Sequence, residues 1–444
     1  MGTIRESIKI TLHPAAEPVP ALKFRLLPTR LEQKPGNAAV HYGKVKAEEN
    51  LFFANREHRE NINRWQETPL EELRQAPVNL RSSGGIEYSL RQGAMCRYCD
   101  WQLPIGTEPF REILLSDAQE ARGFGRILAA RARLQLAQGQ FTEAIDTLKT
   151  GYALARHVAS GETLVNGLVG IAICGSISRQ LLELIQLPGA PNLYWALTSL
   201  PRPMIGMRDA LEVEAYGVEL TYPELQYAAS SSHTPIAWRD VFHRVAIDAF
   251  KRMAEGKTAR PSIEDIDRLV EQWLPRAKQA LLERGASSEL IADASMQQIV
   301  LMYSLQIYHD VVDDALKHFH GPFPQAIAAI TSARDRAASQ EVEMIPLARR
   351  LIGALWTART ACARIDREFA FMRLLEALRL FAANHDGALP DDLAQVHQTP
   401  MPIDPVTEQP FQYRRMENTA YVNGPELRDL PLNYEITVCQ PCLT

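Results

Sequence analysis

Residues 116–159 carry the pattern that most narrows what this chain can fold into. "SDAQEARGFGRILAARARLQLAQGQ" is a long helical run, and Gly139 breaks it. The next segment, "FTEAIDTLKTGYALARHVA", sets Phe141, Ile145, Leu148, Tyr152 and Ala155 at steps of four and three. That spacing places them on one apolar face of a second helix. Two helices joined by about two residues run antiparallel and pack on each other. Ser116 and Gln119 have the spacing of a capping box at the first helix start.

The rest of the chain extends this helical theme. "ARPSIEDIDRLVEQWL" offers Pro261 and Ser262 ahead of first-turn acids, which suits the helix dipole. "MQQIVLMYSLQIYHDVVDDALKHF" is amphipathic and stops at Gly321-Pro322, and a nearly unbroken helical stretch follows Pro346 up to Asn384. The two ends differ. "SIKITLHP" alternates Ile8, Ile10 and Leu12 with polar residues, the period of a half-buried strand, and "ALKFRLLP" reads the same way. "KPGN" supplies a turn and a cap for the helix after it. Near the C-terminus "PFQYRR" and "TAYV" predict two strands joined around Glu417-Asn418, and "LNYEITV" a third. The expected fold is mainly α: an irregular helical-hairpin array or bundle, with extended N-terminal strands and a small C-terminal α+β unit. The corresponding stretches are 1–50, 51–366 and 367–444.

Composition excludes several classes. Hydrophobic residues make up 46% and charged residues 23%, with a net charge of −5, which is ordinary for a globular protein and gives no basic surface for nucleic acid. The longest uncharged segment, residues 163–178, falls short of the roughly 20 apolar residues that span a bilayer, so no transmembrane segment is expected. A buried helix packed closely through Gly167, Gly170 and Gly175 is the expectation there.

Some stretches look familiar. Gly139-x-Phe141-x-x-Ala144, with Ala132 twelve residues earlier, resembles the turn of a tetratricopeptide repeat, although Leu193 and Ala196 echo it at an interval other than 34. "LKFRLLP", "KPGNAA", "CDWQLP", "APNLYWALTSLPRP", "EALRLFAANHDGALPDDL", "PIDPVTEQPFQYR" and "YEITV" together resemble a family of uncharacterised, usually exported bacterial proteins of planctomycete type. Gly387-x-x-Pro390-x-x-Leu393 and Asp404-Pro405 with Pro410-Phe411-x-Tyr413 are similar to the globular head of type II secretion pseudopilins. That pattern tends to have Gly where Glu408 stands, and the membrane-spanning N-terminal helix of a pseudopilin is missing. The resemblance implies an exported, periplasmic protein. The N-terminus "MGTIRESIKITLHP" has no apolar stretch of signal-peptide length, as in a mature or trimmed form or a cytoplasmic relative.

Two constellations could carry chemistry. Cys96-x-x-Cys99 and Cys439-x-x-Cys442 use four of the six cysteines. They could close a structural zinc site, form disulfides or stay unlinked. A redox pair at Cys439 and Cys442 would need a helix N-terminus, and a strand precedes it. The second constellation is "YHDVVDDALKHFH", where His309 and Asp313, and Asp310 and Asp314, are four apart on one helical face. Such pairs can hold a metal or set a base beside its orienting carboxylate; a solvated face paired with Lys317 explains the same residues. No nucleophile elbow, Walker or dinucleotide fingerprint is present.

Stacked helical hairpins build surfaces that hold other molecules. The expectation is therefore a non-catalytic scaffold or binding protein, with a protein or peptide partner and a role in the bacterial cell envelope. The alternatives are a metal-dependent, hydrolase-like enzyme using the His309 helix, and a structural subunit of an assembly.

Overall fold

The computed structural model describes residues 7–54, 56–75, 84–230, 236–253, 262–338, 345–425, 427 and 430–439. Sixteen α-helices and eight short strands are found among them. The fold is mainly α with a small strand-containing C-terminal region, as the sequence periods predict. The chain divides into two compact units. One comprises Met1–Gln102, Leu115–Ala210 and Thr360–Thr444; the other comprises Leu103–Leu114 and Leu211–Arg359.

Three helices of the first unit, Ser116–Ala137, Phe141–Ala159 and Leu164–Ile185, pack on one another. Gly139 turns the chain between the first two at φ +72°, a conformation open to glycine at little cost. Ile145, Leu148, Tyr152 and Ala155 are buried as their spacing requires. Gly170 sets the approach of the third helix to the second. A Cβ there would lie 2.5 Å from the Ala155 carbonyl oxygen and 2.6 Å from the Ala159 Cβ. This third helix runs beyond the uncharged stretch 163–178 to Ile185, so by length and composition it could cross a membrane. In the fold it is largely buried, with Asn166 and Gln180 among its covered residues.

Caps follow the sequence in two places and depart from it in one. Asn37 Oδ1 accepts from the Ala39 and Asp100 amides, and Ser262 forms a full capping box with Asp265. The helix at Ser116 has Leu115 as its N-cap residue and no side-chain cap, so the expected box does not form. "ALKFRLLP" is likewise not a strand. Pro18 and Pro20 directly precede it and Pro28 ends it, each without a ladder donor, and the segment forms turns and irregular chain. The pairing segment there is Lys34–Asn37, parallel to Cys96–Tyr98.

The C-terminal strands fall as predicted, at Gln412–Met416, Thr419–Asn423 and Asn433–Val438. Ile8–Leu12 completes the sheet, parallel to Asn433–Val438 with Ile10 opposite Ile436. Ile10, Leu12, Ala420, Val422 and Ile436 form its buried face. Phe371 of the long helix Ala348–Ala383 stacks on Tyr434 at 4.1 Å between ring centroids.

Charge is buried at the heart of this unit. Arg379 is fully covered and donates from Nε to the His13 carbonyl (2.9 Å), from Nη2 to that of Ala190 (2.7 Å) and from Nη1 to Glu376 Oε2 (2.9 Å). Asn192 Nδ2 donates to the Glu376 carbonyl (2.9 Å). An ion pair survives burial only when its remaining donors are satisfied, and here main-chain carbonyls do so. The stretches "APNLYWALTSLPRP" and "EALRLFAANHDGALPDDL" thus meet, by tying the N-terminal segment and the 190–194 loop to the last helix.

The second unit is organised around Met296–Leu316. Trp238–Met253, Ile263–Glu283 and Phe323–Ala338 all pack against it, and thirteen of its side chains are buried. The short helix Gly217–Thr221 packs on the turn Phe110–Glu112. The first residues of Ala348–Ala383 also belong to this unit.

Candidate functional site

The structure disperses the side chains of the His309 helix. His309 Nε2 pairs with Glu219 Oε1 at 2.5 Å, not with Asp313, which is exposed. Its ring lies between those of Tyr216 and Tyr308. The Glu219 hydrogen bond, working against burial, holds the imidazole above its ordinary pKa. Asp310 pairs with Arg284 (2.7 Å), and Asp314 with Lys317 (2.5 Å) and Arg336. Each of these carboxylates is thus matched to a cation, and the expected contact with Lys317 is present.

The first cysteine pair is part of the core. Cys96 and Cys99 are buried thiols near Tyr42, whose ring stacks on Trp101 and whose hydroxyl meets His157 Nδ1 at 2.8 Å. Burial pushes both thiols upward and so disfavours the reactive thiolate. Cys439 is exposed at the end of its strand, and Cys442 lies outside the described residues. Among the described residues no group of three or more His, Cys, Asp or Glu is placed to hold a metal ion. Cys174 and Cys362 are buried, as their apolar helical contexts predict.

Sequence reasoning did not find a cavity of about 360 Å³ inside the second unit. Arg111 enters it from the turn Phe110–Glu112, and Val218 and Tyr222 from the helix Gly217–Thr221 and its end. Val245, Asp248 and Ala249 come from Trp238–Met253, Pro346 and Leu347 from the residues before the long helix, and Arg349 and Arg350 from its first turn. Arg111 Nη1 contacts Asp248 Oδ2 at 2.5 Å, and the Tyr222 hydroxyl donates to the same oxygen at 2.7 Å. Arg349 Nε donates to the Ala337 carbonyl (2.8 Å), closing the end of the helix Phe323–Ala338. Arg350 is exposed at the rim and makes no side-chain hydrogen bond or ion pair with the described residues.

Among the described residues, Arg111, Arg349, Arg350 and Asp248 are the charged side chains that line the space, beside Val218, Val245, Pro346 and Leu347. Burial, reinforced by repulsion from Arg350 and opposed by Tyr222, Tyr308 and Glu214, holds Arg111 below its ordinary pKa. These positions run from 111 to 350, so no local motif joins them. The signal in the sequence was the pair Arg349-Arg350, three and four residues after Pro346.

Burial in the first unit pushes the Glu368 carboxyl up to about 7, against the pull of Arg364 and Arg179. No protein-family model matches the chain, and neither a curated protein nor a solved structure matches it.

Proposed function

We propose that this protein acts by binding, as a helical scaffold whose second unit holds part of a protein or peptide partner. The observation that supports the reading is the cavity. Its size is that of a ligand pocket, its walls are half apolar and half polar, and its polar groups are placed by four separate segments. Arg111, Asp248 and Tyr222 hold one another in a fixed geometry, which suits recognition. The irregular tetratricopeptide-like hairpin at residues 116–159 fits the same role, since such hairpins present surfaces. An envelope location rests on the resemblance to exported planctomycete-type proteins.

The hydrolase-like alternative draws on the His309–Glu219 pair, a base beside an orienting carboxylate. Affinity capture from native extract separates the two. A partner retained by wild-type protein and by His309→Ala, but lost with Arg350→Glu, is the expected result. Loss with His309→Ala and retention with Arg350→Glu would contradict the binding reading.

A further inference from the structure

We infer that the cavity of the second unit takes a carboxylate joined to a small apolar group. This rests on the reading of the protein as a binding scaffold and adds the chemistry of what is bound. The argument starts from charge. Asp248 is engaged by both Arg111 and Tyr222 on one oxygen, while Arg350 stands at the rim with no counter-ion among the described residues. Arg111 and Arg350 repel one another across the space. An anion between them removes that repulsion and gives Arg350 the partner it lacks. Guanidinium groups bind planar carboxylates through paired, charge-assisted hydrogen bonds.

Position reinforces charge. Arg350 is in the first turn of the helix that begins at Ala348, where the helix dipole presents its positive end. The cavity is lined on other sides by Val218, Val245, Ala249, Pro346 and Leu347. A fully hydrated polyanion gains nothing from such walls, whereas an aliphatic side chain next to a carboxylate fills them. The same chemistry has two sources: a free branched acid, and the last residue of a peptide with its terminal carboxylate.

The test is isothermal titration calorimetry of the full chain with N-acetyl-leucine, its amide, a hexapeptide ending in free leucine, and the same hexapeptide amidated. Both free carboxylates are expected to bind, and both amides at least tenfold more weakly. Arg350→Gln, which removes no side-chain bond among the described residues, is expected to weaken the carboxylates at least tenfold with an unchanged circular dichroism spectrum. A peptide that binds tenfold more tightly than N-acetyl-leucine assigns the carboxylate to a chain terminus; equal affinity assigns it to a small acid. Amides that bind as well as acids, an unaffected Arg350→Gln, or inorganic phosphate bound more tightly than either acid would each overturn the inference. If the amides bind and Leu347→Trp blocks them, the cavity is a binding site of other chemistry and the scaffold reading survives. No heat with any probe overturns the carboxylate inference alone, because native capture of a partner tests the scaffold reading separately.

Discussion

At the scale of single residues, burial moves two titratable groups in opposite senses. Glu368 has its pKa raised to about 7, so the folded state holds a proton that the unfolded chain releases near its ordinary value. Its contribution to stability is therefore lost as pH rises towards 7. His157, lowered to about 4 by burial and then by Arg156, behaves in reverse, and stability is lost as pH falls from about 6.5 to 4. Between those limits the two slopes offset each other. Replacing Glu368 by Gln should uncover the histidine, so that urea midpoints fall between pH 6.5 and 4 by the equivalent of on the order of 2–3 kcal/mol. The variant should also be more stable than wild type at pH 8. A profile parallel to wild type would refute this account of Glu368. Glu408 shows a different residue-level constraint: it adopts φ +58°, a conformation that favours glycine.

At the scale of elements, legibility followed the range of the interactions. The trio at residues 116–185 was readable because its apolar period and the Gly139 break are local, and Ile145, Leu148 and Tyr152 took the faces they predict. The hairpin 412–423 was readable for the same reason. Ser116 misled, since a hydroxyl and an amide at capping spacing form a box only if the chain enters the helix at that residue, and here Leu115 does so. "ALKFRLLP" misled because alternation says nothing about whether a partner strand exists. The partner of His309 was missed because Glu219 is ninety positions away, while Asp313 merely shares its helix. Cavity residues were invisible for that reason too. Gly170 offers a test at this scale. Gly170→Ala places a methyl against the Ala155 carbonyl and should destabilise by about 1–3 kcal/mol, the usual range for overpacking. Gly139→Ala, where a Cβ meets nothing, should cost less, about 1 kcal/mol, from its positive φ alone. Equal losses in chemical denaturation would contradict the packing explanation.

At the scale of the whole molecule, the first unit draws on three distant parts of the chain, so its ends depend on each other. Ile8–Leu12 covers one edge of the C-terminal sheet, and the His13 carbonyl receives Arg379. Deleting residues 1–13 should therefore accelerate amide exchange in Asn433–Val438, more than four hundred positions away, while leaving Met296–Leu316 protected. Unchanged protection in the sheet would show that the parallel strand is dispensable. The second unit carries the functional claim, and hydrogen–deuterium exchange tests it most directly. With saturating hexapeptide ending in free leucine, protection should rise at residues 110–112, 217–222, 238–253 and 345–352 and nowhere else. Protection confined to the first unit, or none at all, would contradict the assignment of binding to this cavity.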